Sequence, residues 1–295
     1  MEHRSSAPFL ISAIVPIAGF PNGMKQIESW ISNSDLRSFE VILVIDSDQD
    51  RTRDETNEIA QKVKALTKVQ VLVSEARNPG GSRNLGLEAA SGDWIVFWDC
   101  DDAPNPSQFL EMISHAIEMN AQIAVGEFAI QSGMQRLDKT FDNHSKDNIL
   151  EIIALNPGLW RFAFKSDLAK RSKFPDLTMA EDQIYLANIL ERKPNLLIFN
   201  EHVYTYWRYQ SNQLTVSFSA LNQLISALDV FINKYKNKQC TPILMVIIRL
   251  TISTVKKASI KVKFQAVSRI LYVFIRYPRK ISSFARLLRL VLDSK

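Results

Sequence analysis

Three carboxylates fall within four residues at Asp99-Cys100-Asp101-Asp102, directly after the apolar run Trp94-Ile95-Val96-Phe97-Trp98. Crowded carboxylates repel one another and resist ionisation unless a cation or several hydrogen-bond donors sit among them. Hard cations such as Mg²⁺ or Mn²⁺ take carboxylate oxygens and keep positions open for substrate phosphates, which makes Asp99, Asp101 and Asp102 candidate metal ligands. A solvated acidic turn, helped by Pro104 and Pro106, is the alternative reading of the same segment. Upstream, Asn78-Pro79-Gly80-Gly81-Ser82-Arg83-Asn84-Leu85-Gly86 opens a helix. Its glycines would let backbone approach a ligand, and Arg83 carries a guanidinium that can meet a phosphate or orient carboxylates. A plain helix start with Ser82 as cap explains the segment as well. No Gly-Lys-Ser/Thr follows, so this is not a Walker loop.

The elements that must position these residues alternate. Short apolar or β-branched runs at 9–15, 41–45, 69–73 and 94–98 are separated by helical spacing at 27–31, 55–66 and 82–90. This is the rhythm of a mostly parallel sheet covered on both faces, an α/β fold. Ligands bind such sheets at the carboxyl ends of strands. Here those positions hold Asp46 and Asp48 after the second run, residues 78–84 after the third, and the three aspartates after the fourth. The N-terminal apolar stretch Phe9 to Ala18 is broken by Ser12 and Pro16 and is too short for a signal core, so it is read as the first buried strand.

Four pieces in order resemble glycosyltransferase family 2: Ile11-Ser12-Ala13-Ile14-Val15-Pro16, Phe39-Glu40-Val41-Ile42-Leu43-Val44-Ile45-Asp46, Gly80-Gly81-Ser82-Arg83-Asn84-Leu85-Gly86, and Gly92 through Asp102. The resemblance covers about the first 215 residues. It implies a GT-A fold, a nucleotide-diphosphate sugar donor and a divalent metal, Mn²⁺ or Mg²⁺, at the Asp-x-Asp motif formed by Asp99 and Asp101 with Asp102 beside it. Family members often carry two aspartates at the end of the second strand. Ile45 takes the first place here, and Asp46 remains to hydrogen-bond the base, with uracil favoured. Met179-Ala180-Glu181-Asp182-Gln183 matches the family's Glu-Asp motif, which makes Asp182 the general base of an inverting transfer and Glu181 its acceptor-side neighbour. The alternative for that pair is the usual preference of acids for a first helical turn. Trp160, within Pro157-Gly158-Leu159-Trp160-Arg161, either stacks on an acceptor sugar or is a buried aromatic. The segment Tyr204-Thr205-Tyr206-Trp207-Arg208 resembles the family's Tyr-x-Tyr-Arg, in which Arg208 would neutralise diphosphate charge or, alternatively, lie over Trp207 at the surface.

Beyond residue 215 the resemblance ends, giving expected domains of 1–215 for transfer and 216–295 for a basic amphipathic helical region. From Lys234 onward there are fifteen Lys and Arg against one acid, Asp293, so this segment carries about +14 while residues 1–233 carry about −9. An acidic body argues against nucleic acid as the substrate of the main domain, whereas a basic tail suits phosphate-bearing lipid at an anionic membrane surface, an acidic partner or RNA, or forms a helical subdomain with a solvated basic face. Helical spacing recurs over 222–292, divided by Pro242 and Pro278, and the longest apolar run, 243–248, is far short of a bilayer span. Cys100 and Cys240 form no disulfide framework or zinc pattern, consistent with a reducing, cytoplasmic setting. Two functions follow as expectations: a transferase passing sugar to a glycan or lipid-linked acceptor, or a degenerate nucleotide-sugar scaffold recruited through its basic helices. Asp99, Asp101 and Asp182 favour the first; Ile45 is the one residue favouring the second.

Overall fold

The computed structural model describes residues 9–17, 27, 30, 34–46, 54, 57, 58, 60, 61, 64, 68–141, 156, 158–208, 218–235, 249–252 and 260–276. The chain divides into two compact units. One comprises Met1–Thr140, Trp160–Lys173 and Pro194–Arg208; the other comprises Phe141–Leu159, Phe174–Lys193 and Tyr209–Lys295.

The first unit is built on a nine-stranded sheet. Its strands are β1 (Ile11–Ile17), β2 (Phe39–Asp46), β3 (Lys68–Ser74), β4 (Trp94–Phe97), β5 (Ala103–Pro104), β6 (Ile123–Ser132), β7 (Gln135–Lys139), β8 (Phe162–Lys165) and β9 (Leu196–Trp207). They lie in the order β3-β2-β1-β4-β8-β6-β9-β5, with β7 also paired to β6. The four apolar runs of the sequence are β1 to β4, and every pairing among them is parallel. Beyond β4 the sheet is mixed: β8 runs antiparallel to β4 and β6, while β9 is parallel to β6. β1, β2 and β4 are buried along most of their length, as their continuous Val, Ile and Leu content requires of strands covered on both faces.

Helices α1 (Pro79–Ala89), α2 (Pro106–Glu118) and α3 (Ser166–Ala169) belong to the same unit. α1 starts four residues earlier than a Ser82 cap would place it. Pro79 stands at its first position and Asn78 is the cap, its Oδ1 accepting the Gly81 N–H at 2.7 Å, which leaves Ser82 inside the helix and buried. The glycines here serve packing. A Cβ at Gly86 would stand 2.4 Å from Ile14 Cγ2 of β1, and one at Gly81 would stand 2.1 Å from Ala76 Cβ. The close seat of α1 on the sheet therefore depends on both.

At the amino end of the parallel strands a buried carboxylate ties the chain together. Glu40 of β2 is 0% exposed. Its Oε1 accepts Ser12 Oγ at 2.5 Å, Gly92 N–H at 3.1 Å and Ser91 N–H; its Oε2 accepts Ser91 Oγ at 2.6 Å and Lys68 Nζ at 3.1 Å. Burial alone would raise its pKa, but these donors outweigh it and bring the group from 4.5 down to about 2.

The second unit is helical in its described part: α4 (Glu181–Leu190), α5 (Phe218–Tyr235), a helical segment at 249–252, and α6 (Ile260–Arg276). Phe174 stacks on Tyr185 of α4 with centroids 4.0 Å apart. Arg269 of α6 forms a two-point ion pair with Asp229 of α5, Nε to Oδ1 at 2.8 Å and Nη2 to Oδ2 at 3.0 Å. The helical spacing expected in the C-terminal region appears in α5 and α6, whereas Pro242, Ile243, Ile247 and Pro278 lie outside the described residues. No described helix is long and apolar enough to cross a membrane.

Candidate active site

The acidic turn is anchored from below by an aromatic cluster. Trp98, which follows β4, is fully buried and packs against Trp30, Phe39 and Phe109 with centroids 5.3–5.4 Å apart, and its N–H donates to Ile14 O at 3.0 Å. The chain then turns, with Asp102 N–H donating to Asp99 O at 3.3 Å. From α1, Arg83 Nη2 donates to Asp99 Oδ1 at 2.8 Å, and the guanidinium is largely buried. From β9, the Tyr204 hydroxyl accepts the Asp99 N–H at 3.0 Å, and Trp207 N–H donates to Asp102 Oδ1 at 2.7 Å. Two elements from distant parts of the sequence, α1 and β9, thus converge on four residues at the carboxyl end of β4.

The carboxylates are held in tension. Burial, then the charge of Asp99, pushes Asp101 from 3.8 up to about 6. Asp102, 1% exposed, is pushed well above the ordinary range by burial, then by Asp101 and Asp99, with the Trp207 N–H and the Tyr204 hydroxyl only partly compensating. Its Oδ2 is buried without a hydrogen bond. Tyr204 is itself pushed well above 10, first by burial and then by the neighbouring acids, so its proton stays in place to serve as a donor. Among the described residues no three His, Cys, Asp or Glu side chains are grouped so as to hold a metal ion. Asp99 is turned to Arg83 and Asp102 to β9. The donor set still fits a divalent cation of the kind that takes one or two carboxylates and completes its shell with substrate phosphates, because it offers crowded acids and an orphaned buried oxygen.

Other residues singled out in the sequence fall as follows. Asp46 ends β2, opposite Ser74 of β3 and one strand removed from β4 across β1, and its side chain is outside the described set. Arg208 is exposed, follows Trp207 directly, and is held at the backbone by its N–H to Gln131 O at 2.8 Å. Trp160 is 9% exposed, stacked on Tyr204 at 4.5 Å and parallel to Tyr206 at 6.0 Å, with the edge of Phe128 at 4.8 Å. Little of its ring is open to a ligand. Glu181 and Asp182 lie in the second unit as the first two residues of α4, Glu181 buried and Asp182 Oδ1 accepting the Gln183 N–H at 2.8 Å.

Three residues have roles that sequence reasoning did not assign, although Tyr204 and Ala180 stand in segments it singles out. Tyr204 joins the acidic turn through contacts 105 residues away in sequence, and no local pattern predicts that. Ala180 precedes α4 with φ of +63°, a left-handed conformation that costs a residue with a Cβ about 1–2 kcal/mol and fixes the direction in which Glu181 and Asp182 emerge. Arg249 is shifted down to about 10 by burial, against which the nearby charge of Asp182 works. An arginine beside a motif carboxylate could have been sought among the basic residues of the tail, but nothing in its spacing distinguishes it from the other fourteen.

The chain is similar to known proteins in sequence and in fold. The sequence is 23% identical over 232 residues to poly(ribitol-phosphate) beta-N-acetylglucosaminyltransferase TarP of Staphylococcus aureus, across 74% of this chain and 70% of that enzyme. The chain spans 37% and 52% of the lengths of the next two curated relatives. In three dimensions it is similar to S. aureus TarS 1-349 in complex with UDP-GlcNAc, with TM-score 0.67, 15% identity, and 97% and 89% of the two chains covered. It is also similar to the mannosyltransferase PcManGT of Pyrobaculum calidifontis in complex with GDP-Man and Mn²⁺, with TM-score 0.61, 14% identity, and 96% and 81% covered. These likenesses give the expected GT-A fold. The profile of Glycosyl transferase family 2 matches residues 25–181, more than half of the chain and spanning the acidic turn, α1 and the start of α4, so the chain belongs to glycosyl transferase family 2.

Proposed function

We propose that the chain is an inverting glycosyltransferase that moves a sugar from a nucleotide-diphosphate donor, a UDP-sugar, to a hydroxyl of a glycan or lipid-linked acceptor. The observation that carries this reading is the strained acidic turn, Asp99 to Asp102, clamped to Arg83 at the carboxyl end of the parallel strands. The Mn²⁺ bound by the mannosyltransferase neighbour and the UDP-GlcNAc bound by TarS support it. Asp101 and Asp102, with the remaining oxygen of Asp99, would hold Mn²⁺ or Mg²⁺, whose charge would offset that of the leaving diphosphate. Arg83 keeps Asp99 oriented and, with Arg208, adds positive charge at the phosphates. Asp46 hydrogen-bonds the base. Asp182 accepts the proton of the acceptor hydroxyl while its oxygen bonds to the anomeric carbon and the nucleoside diphosphate departs from the opposite face. Glu181 and the edge of Trp160 belong to the acceptor side. Residues 1–215 are the proposed transferase domain and 216–295 a basic helical region, in an enzyme of the cytoplasm whose tail meets the anionic membrane surface.

The test couples two variants. Asp101→Asn abolishes the Mn²⁺-dependent thermal stabilisation given by UDP-sugars, whereas Asp182→Asn keeps that stabilisation and lowers turnover by about 100-fold or more. Unchanged Mn²⁺ dependence in the first variant sinks the metal assignment. Equal loss of donor binding in the second gives Asp182 a structural role instead.

A further inference from the structure

α6 presents apolar side chains on two sides. On one side Ala266 is fully buried and Arg269 is locked to Asp229 of α5. On the other, Phe264, Val267, Leu271 and Ile275 recur at spacings of three and four, which places them on one stripe about 16 Å long. They are exposed, Phe264 at 75% and Ile275 at 82%, and Tyr272 beside them is half exposed. A soluble helix normally turns such a stripe inward and its charges outward. Here the inward side is already occupied, and the outward stripe is a contiguous apolar surface of the kind that marks an interaction site.

Charge selects the occupant. α6 contains Lys261, Lys263, Arg269 and Arg276 and no acid, within a segment that carries about +14. A second copy of this chain would set that charge against its like. A surface that is both anionic and apolar just beneath its charges satisfies both features, and a bilayer with anionic headgroups is such a surface. We propose that α6 lies in the plane of an anionic membrane interface, with Phe264, Leu271 and Ile275 inserted at the level of the acyl boundary and the α5 side facing the protein. This deepens the functional reading above by naming the surface that would bring the enzyme to a lipid-linked acceptor.

The experiment uses the full chain and vesicles of phosphatidylglycerol with phosphatidylcholine, or of phosphatidylcholine alone, at low and high salt without substrate. The parent chain partitions to the anionic vesicles about a hundredfold more than to the neutral ones at low salt, and salt narrows the gap. The combined variant Phe264→Ser, Leu271→Ser and Ile275→Ser loses at least about tenfold in partitioning. Because all three side chains are exposed, circular dichroism and thermal midpoint stay at the parental level. Equal partitioning of variant and parent overturns the proposal, as does equal binding to neutral and anionic vesicles. A variant that turns from oligomer to monomer in light scattering while still binding vesicles assigns the stripe to a protein interface and also overturns it. A chain inactive in sugar transfer that binds anionic vesicles through the stripe fails the functional reading and supports this one.

Discussion

The two ends of one parallel sheet treat acidic residues in opposite ways. At the amino end Glu40 receives donors from Ser12, Ser91, Gly92 and Lys68 and is held at about 2. At the carboxyl end Asp101 is raised to about 6 and Asp102 well above its ordinary range, with one Asp102 oxygen buried and unbonded. Both sites are buried, so burial does not explain the difference. The number of donors and the charge of neighbouring aspartates do. At the amino end the chain supplies enough donors to make a charge stabilising; at the carboxyl end it withholds them and crowds acids together, and the charge becomes an unmet demand that a cation can answer.

The largest effect expected from breaking this contrast is at Glu40. Glu40→Ala leaves the Ser12, Ser91 and Gly92 donors without a partner in a dry site, and denaturant unfolding should register a loss of about 4 kcal/mol. A loss below about 1 kcal/mol would mean that water replaces the carboxylate and that the amino end is not a structural tie.

Acid titration separates the ends by sign. Glu40 has its folded pKa depressed, so its contribution is complete above its unfolded value of 4.5 and is lost as pH falls towards about 2, amounting to about 3 kcal/mol. Asp101 has its folded pKa raised from 3.8 to about 6, so the folded state takes up the proton first and stability rises as pH falls from 7 towards 4. Metal-free protein followed by thermal unfolding should therefore show a stability maximum in mild acid. Saturating Mn²⁺ should erase the rise above pH 5, and its persistence would separate Asp101 from the metal.

A smaller change of the same sign comes from Asp101→Asn, which should stabilise the metal-free chain by about 1–2 kcal/mol while ending donor binding, the trade expected where activity needs a strained site. A destabilised variant would place Asp101 with Glu40 as a structural acid. The smallest effect is at Tyr204→Phe. Removing the hydroxyl deletes the bond from Asp99 N–H and the donor towards Asp102, for about 1 kcal/mol of stability. If the hydroxyl positions the turn, the Mn²⁺ affinity measured by titration falls several-fold with it; a stability loss with unchanged Mn²⁺ affinity restricts Tyr204 to packing.

The contrast also marks what the amino-acid sequence discloses. β1, β2 and β4 were legible because buried parallel strands read as short apolar runs, β3 because its valines recur along a half-exposed edge strand, and the acidic turn because three aspartates within four residues have few structural uses. Glu40 was present in the same strand pattern, but a single acid among apolar residues does not reveal which donors will surround it. The cap of α1 was misplaced at Ser82 because Ser and Asn are equivalent caps locally, and Pro79 decides between them. Tyr204 and Ala180 escaped for different reasons. The first acts through a contact set by the tertiary fold, and the second adopts a backbone conformation that alanine rarely does.

The dependence of the acidic turn on β9 has a consequence for how the protein is made. Asp99 donates its N–H to the Tyr204 hydroxyl and Asp102 accepts the Trp207 N–H, each across 105 positions, so the turn closes only over a long loop whose entropy must be met before the contacts form. A nascent chain that has emerged through α2 carries all three aspartates and Arg83, yet lacks the strand that orders them. Under the proposed metal assignment, cation affinity is acquired late, when Trp207 docks.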